Sequence, residues 1–136
     1  MVLKTQRLKV DYYRGTTFMP ELAPFVDIVD GVTQPANLKE PFYSYMAQVR
    51  LDPLDDQVYA QLDDVDFDLG KSDVGQDEFD ELLPVASAET MAGLLAGVDT
   101  YYMDVFQYVD TDPEERYLMA VIEIRVADNI TQKPFS

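Results

Sequence analysis

The feature that most constrains the fold is a two-residue alternation of apolar and polar side chains that recurs along the chain. It is cleanest between Tyr43 and Leu51. There Tyr43, Tyr45, Ala47, Val49 and Leu51 share one face, and Ser44, Met46, Gln48 and Arg50 the other. A strand turns successive side chains to opposite sides, so this period predicts half-buried β-structure and argues against an amphipathic helix. Leu8, Val10 and Tyr12 alternate in the same way with Arg7, Lys9 and Asp11. Two longer runs follow, Thr100 to Val109 and Arg116 to Val126, the second with Leu118, Ala120, Ile122, Ile124 and Val126 on one face. The turn-forming residues between them, Asp110 to Glu114, predict a hairpin.

Between these runs the pattern is weaker. Phe18 to Val29 is strand-like, but Pro20 and Pro24 cannot donate to a ladder, so an edge strand or a bulge is expected there. Asp30-Gly31 reads as a turn, and Pro35 to Pro41 as a loop. After a turn at Asp52 to Asp56, Val58 to Leu62 is expected to return antiparallel. Residues 63–81 hold nine acids. Within them Val65, Phe67 and Leu69 alternate with Asp64, Asp66 and Asp68, which predicts a strand with an acidic outer face. A polar loop from Gly70 to Gln76 and a short strand near Phe79 to Val85 follow. The one helix signal lies inside residues 87–97: Ser87 can cap it, Glu89 suits its first turn, and Gly93 or Gly97 can end it. About seven short strands and one minor helix, without repeat or linker, predict a single all-β domain over residues 1–136. Its expected form is an Ig-like antiparallel β-sandwich, with a short polar tail from Ala127 to Ser136.

Composition narrows the chemistry. The chain has no cysteine, so disulfides and thiolate metal sites are excluded. It has no histidine, which removes the commonest general base and the commonest transition-metal ligand. No catalytic residue, cofactor or metal is therefore expected, and the chain reads as a non-enzyme. The net charge of -16 opposes nucleic-acid phosphates and anionic lipid and favours a basic partner or a salty environment. No stretch is long and apolar enough to span a membrane, and Met1 to Val10 lacks the apolar core of a signal peptide, so synthesis in the cytosol is expected.

Two groups of residues invite a functional reading. Asp64, Asp66 and Asp68 suggest calcium, but an EF-hand loop starting at Asp64 would need glycine where Leu69 stands and glutamate where Gly75 stands. A solvated acidic face, or docking on a basic partner, fits better. The second group is the adjacent tyrosine pairs, Tyr12-Tyr13 and Tyr101-Tyr102. On a strand only one ring of each pair can enter the core, and the other is the expected interface marker.

In order along the chain come Tyr13-Arg14-Gly15-Thr16-Thr17-Phe18, Ala47-Gln48-Val49-Arg50, Ser87-Ala88-Glu89-Thr90, Leu94-Leu95-Ala96-Gly97 and Tyr101-Tyr102-Met103-Asp104-Val105. A closing segment, Ile124-Arg125-Val126-Ala127-Asp128-Asn129-Ile130-Thr131, follows. This succession resembles the small β-sandwich of bacteriophage tail, baseplate and fibre-attachment proteins, similar to the N-terminal domain of baseplate upper proteins. Thr16 stands where that pattern has Asp, the last hairpin turn lacks glycine, and the acidic segment is longer than the pattern needs. The resemblance implies a virion structural protein, a tail, baseplate or neck adaptor that anchors a fibre or a neighbouring ring. Its partners would be other phage structural proteins in a symmetric oligomer, with Tyr12, Tyr13, Arg14, Tyr101, Tyr102, Asp64, Asp66 and Asp68 at the interface. The alternative is a soluble monomeric β-module that binds carbohydrate or a host protein.

Overall fold

The computed structural model describes residues 5–127 apart from 53, 55, 75, 76, 98 and 99, with 72–74, 77, 78 and 112–114 described by their backbone alone. The tail expected after Ala127 lies outside the described residues. Nine strands form: β1 (Gln6–Tyr13), β2 (Val26–Val29), β3 (Val32–Pro35), β4 (Tyr43–Arg50), β5 (Ala60–Leu62), β6 (Phe67–Val74), β7 (Asp77–Pro84), β8 (Tyr101–Val109) and β9 (Asp112–Ala127). The all-β class stands. The arrangement is one five-stranded sheet in the order β1-β9-β8-β4-β5, with β2-β3 and β6-β7 as separate two-stranded hairpins.

This corrects the expected Ig-like sandwich of about seven antiparallel strands. The described residues form nine strands, the two hairpins remain separate instead of joining into a second sheet, and β1 runs parallel to β9. The pairings of β9 with β8, β8 with β4 and β4 with β5 are antiparallel.

Alternation drives the packing, as it should when one face of a sheet is buried. Tyr45, Ala47 and Val49 of β4, Tyr101, Met103 and Val105 of β8, and Ile122, Ile124 and Val126 of β9 are all buried. They meet Phe25, Leu38, Phe67, Leu82, Met91 and Leu94 in one core cluster. The covering layer on this inner face therefore comes from hairpins and connecting segments. A two-residue bridge ties it together, with Phe18 and Ala86 exchanging backbone hydrogen bonds of 2.8 and 2.9 Å.

Several local expectations change. Asp30 and Gly31 form the β2-β3 turn, both with positive φ (52° and 80°), as a two-residue hairpin turn of the I′ kind requires. The strand expected across Phe18 to Val29 shortens to Val26–Val29, because its two prolines withhold ladder donors. The β8-β9 hairpin closes more tightly than expected: Val109 pairs with Asp112, leaving Asp110 and Thr111 at the turn. Between Val105 and Phe106 the partner steps from Ala120 to Leu118, so Met119 is an inserted residue. That bulge buries Met119 and Ala120 together and turns Leu118 outward.

The helix inside 87–97 is a 3-10 helix, Thr90–Gly93. Its N-cap is Glu89 and not Ser87 as expected; Ser87 lies two residues earlier, its Oγ accepting the Thr90 N–H at 3.1 Å. The helix packs so close to the chain before β5 that a Cβ on Gly93 would lie 2.8 Å from the Tyr59 carbonyl oxygen. The helix ends at Leu94, whose backbone is already extended (φ −85°, ψ 129°), and Gly97 follows with a positive φ of 76°.

Candidate protein-docking surface

Among the described residues no hairpin covers the sheet's second face, and strand register lays its side chains out in rows. Lys9, Glu123, Tyr102 and Arg50 lie across β1, β9, β8 and β4. Beside them run Arg7, Val121, Asp104, Gln48 and Gln61. Next come Leu118, Phe106 and Met46, and then Arg116, Tyr108 and Ser44 toward the β8-β9 turn. The face is graded: charged where β1 and β9 meet, aromatic and apolar where β8 approaches its turn.

At the apolar end the Arg116 guanidinium lies 5.8 Å from the Phe106 ring centre, a cation–π distance. Tyr108 directs its hydroxyl at the Met46 sulfur, 3.9 Å away. At the charged end a polar chain runs along β4 and β5. Arg50 donates to Gln48 Oε1 (2.5 Å), Gln48 to Gln61 Oε1 (3.2 Å), and Gln61 to Asp63 Oδ1 (2.9 Å). Asp104 sits in the middle. Partial burial pushes its carboxyl above the usual range, and the opposing pull of Arg50 and Arg7 does not cancel that.

The tyrosine pairs divide as expected. Tyr12 and Tyr101 are buried, while Tyr13 is 39% exposed and Tyr102 is half-buried on the outer face. Both buried hydroxyls are engaged. Tyr12 donates to the Thr16 carbonyl at 2.7 Å, and Tyr101 accepts the Leu95 N–H at 3.1 Å. Burial raises the Tyr12 phenol above its ordinary value, against the lowering effect of its backbone contacts. Tyr12 and Tyr101 point into the core and offer nothing on the sheet's outer face, unlike their expected place among the interface residues. Arg14 is half-buried at the turn after β1, its N–H donating to Ala127 O at 3.1 Å.

The three aspartates do not share a strand face. Asp64 and Asp66 fall in a 3-10 helix, Asp64–Asp66, and only Asp68 lies on β6. The helix wins because carboxylates serve the backbone there. Asp64 Oδ1 accepts the Tyr45 N–H at 2.8 Å, and Asp66 Oδ2 accepts the Asp63 N–H at 2.9 Å. Val65, expected to face inward, is 88% exposed, whereas Phe67 is buried. β6 then continues to Val74 through the expected polar loop. Among the described residues, no group of three or more acidic side chains gathers as a metal site.

The acidic segment nevertheless reaches the aromatic face. A cleft of about 330 Å³ is lined by Asp63, Asp64 and Asp110 together with Met46, Tyr45 and Tyr108. Sequence reasoning placed Met46 on the outer face of β4 but did not single out Phe106, Tyr108 or Leu118. The signal for the first two was present, since Tyr102, Phe106 and Tyr108 all sit at the alternate positions of β8. Leu118 faces outward only because of the Met119 bulge.

No family model matches the chain, and the curated proteins contain no match to it. Among the described residues no helix is long and apolar enough to cross a membrane.

Proposed function

We propose that the chain is a structural protein-docking module of a bacteriophage tail, baseplate or neck, and that it holds a basic neighbouring virion protein on the outer face of its five-stranded sheet. The observation that carries the docking role is the row of Met46, Phe106, Tyr108 and Leu118 on a sheet face that no hairpin covers among the described residues. Aromatic, methionine and arginine side chains are the types enriched at protein interfaces, and the aromatic rings bury much area at small entropic cost. The partner's charge is argued from complementarity. The chain carries -16, and the cleft beside the aromatic row is lined by Asp63, Asp64 and Asp110. A lysine or arginine entering that cleft would lay its aliphatic stem on Met46 and Tyr108 and its charge near the carboxylates.

The phage setting rests on the order of the motifs from Tyr13-Arg14-Gly15 to the closing Ile124–Thr131 segment. Mass spectrometry of purified particles of the phage that encodes the chain tests it. The expected result is recovery of the chain in the particles at a fixed ratio to other tail proteins. Recovery only in the free soluble fraction would overturn the virion role.

A further inference from the structure

The two edges of the main sheet are finished differently. At one edge β5 is only three residues long, and where it stops the Asp64 carboxylate takes the Tyr45 N–H. Short strands and inserted charges are the devices that keep sheet edges from pairing with other chains. The other edge, β1, is eight residues long with no proline and no register shift against β9. Among the described residues, no backbone hydrogen bond outside the β1-β9 ladder involves residues 6–12. Its inner-face residues Leu8 and Val10 are only half-buried, while their β9 neighbours Ile122 and Ile124 are fully buried. A groove of about 670 Å³, mostly apolar, opens beside this edge between residues 5–8 and residues 23–26.

We propose that β1 pairs antiparallel with β1 of a second copy of this chain, joining two five-stranded sheets across a two-fold axis. The sequence of β1 complements itself in one register, which is why the occupant is a second copy. With Val10 opposite Val10 of the second copy, Lys9 faces Asp11, Arg7 faces Tyr13 and Leu8 faces Tyr12, and the two-fold repeats each pair. Lys9 already stands beside Glu123 and Asp11 beside Arg125 within one chain. The joined row therefore reads Glu123, Lys9, Asp11 and Arg125, alternating in sign across four strands. Shifting by two residues to oppose Lys9 with Lys9, or Asp11 with Asp11, puts like charges in direct contact, which destabilises a pair. Registers shifted by one oppose outer-face with inner-face side chains and break both faces. The inference is independent of the outer-face reading, because the variants below leave Met46, Phe106, Tyr108 and Leu118 unchanged.

Sedimentation velocity on the purified full chain, with circular dichroism of every variant, tests this. The wild type is expected to show twice the 15.5 kDa chain mass. Asp11→Lys alone and Lys9→Asp alone, both at exposed positions, are expected to weaken the dimer by about tenfold or more, because each places like charges opposite one another twice. An equimolar mixture of the two variants restores both opposite-charge pairs and is expected to give a heterodimer, identified by its mass in native mass spectrometry. A wild type that stays at the monomer mass up to about millimolar concentration, the weak end of specific binding, would overturn the proposal. So would a dimer indifferent to either variant, or folded variants that remain monomeric when mixed.

Discussion

Gln107 is buried at 2% exposure on the inner face, a position that β-alternation reserves for apolar side chains. Its amide donates to the Tyr45 hydroxyl at 3.0 Å, which in turn donates to the Leu38 carbonyl at 2.7 Å. Burial pushes the Tyr45 phenol far above its ordinary value, so the ring stays neutral and the relay stays intact at any physiological pH. Tyr45→Phe leaves both a carbonyl and an amide buried without partners, and should cost about 2–3 kcal/mol. Gln107→Leu removes only one bond and leaves the hydroxyl its acceptor, so it should cost about 1 kcal/mol or less. Urea denaturation of the two variants checks the order, and a larger loss for Gln107→Leu would refute this account of the relay. Asp104 carries a pH signature of its own. A carboxyl raised in the folded state holds its proton longer there than in the unfolded chain. Stability therefore falls as pH climbs from the ordinary carboxylate value through the raised one, and the loss is complete above it. Asp104→Asn should accordingly be more stable than wild type at pH 7, with the difference shrinking to nothing in strong acid; a constant difference at all pH values would contradict the burial argument.

At the scale of elements, β4, β8 and β9 were legible because one face of each is buried and the other is not. The sequence does not reveal that β1 runs parallel to β9, since a strand's own alternation carries no direction. The segment 63–76 misled for a different reason. Its alternation of acids and apolar residues fits a strand, but Asp66 is also a short carboxylate that bonds the Asp63 N–H close by in sequence, while Asp64 takes the Tyr45 N–H of β4, and these bonds prevailed. The docking face was half-legible. Alternation places Tyr102, Phe106 and Tyr108 together, while Leu118 joins them through a bulge that no pattern announces. The changed geometry sharpens what Asp64, Asp66 and Asp68 contribute. Asparagine keeps a carbonyl oxygen for the two backbone bonds, so replacing all three with Asn should preserve the fold while removing three charges. Association with the proposed basic partner should then slow about threefold or more at low salt and converge on the wild-type rate at high salt, since exposed charge acts through screened steering. Tyr102→Ala should instead speed dissociation. Surface plasmon resonance over a salt series separates the two effects, and an unchanged association rate for the triple variant would make those carboxylates plain surface.

For the molecule as a whole, the expected sandwich and the observed sheet bury most of the same inward residues, Val65 and Leu118 excepted; what differs further is the covering layer. Two sheets facing one another would leave both outer faces to solvent as equals. Here hairpins and connecting segments cover one face of a five-stranded sheet and leave the other with Met46, Phe106, Tyr108 and Leu118. That asymmetry is the basis for reading the chain as a module with a single docking side, and a comparison of side-chain accessibility tests it most directly. Hydroxyl-radical footprinting would label the free chain and the chain within purified particles, and peptide mass spectrometry would read the oxidation of each residue. Met46, Tyr102, Phe106 and Tyr108 are expected to lose most of their labelling in the particle, while buried Tyr45, Tyr101 and Met103 stay unlabelled in both. Equal labelling of the four outer-face residues in the free and assembled states would contradict that reading.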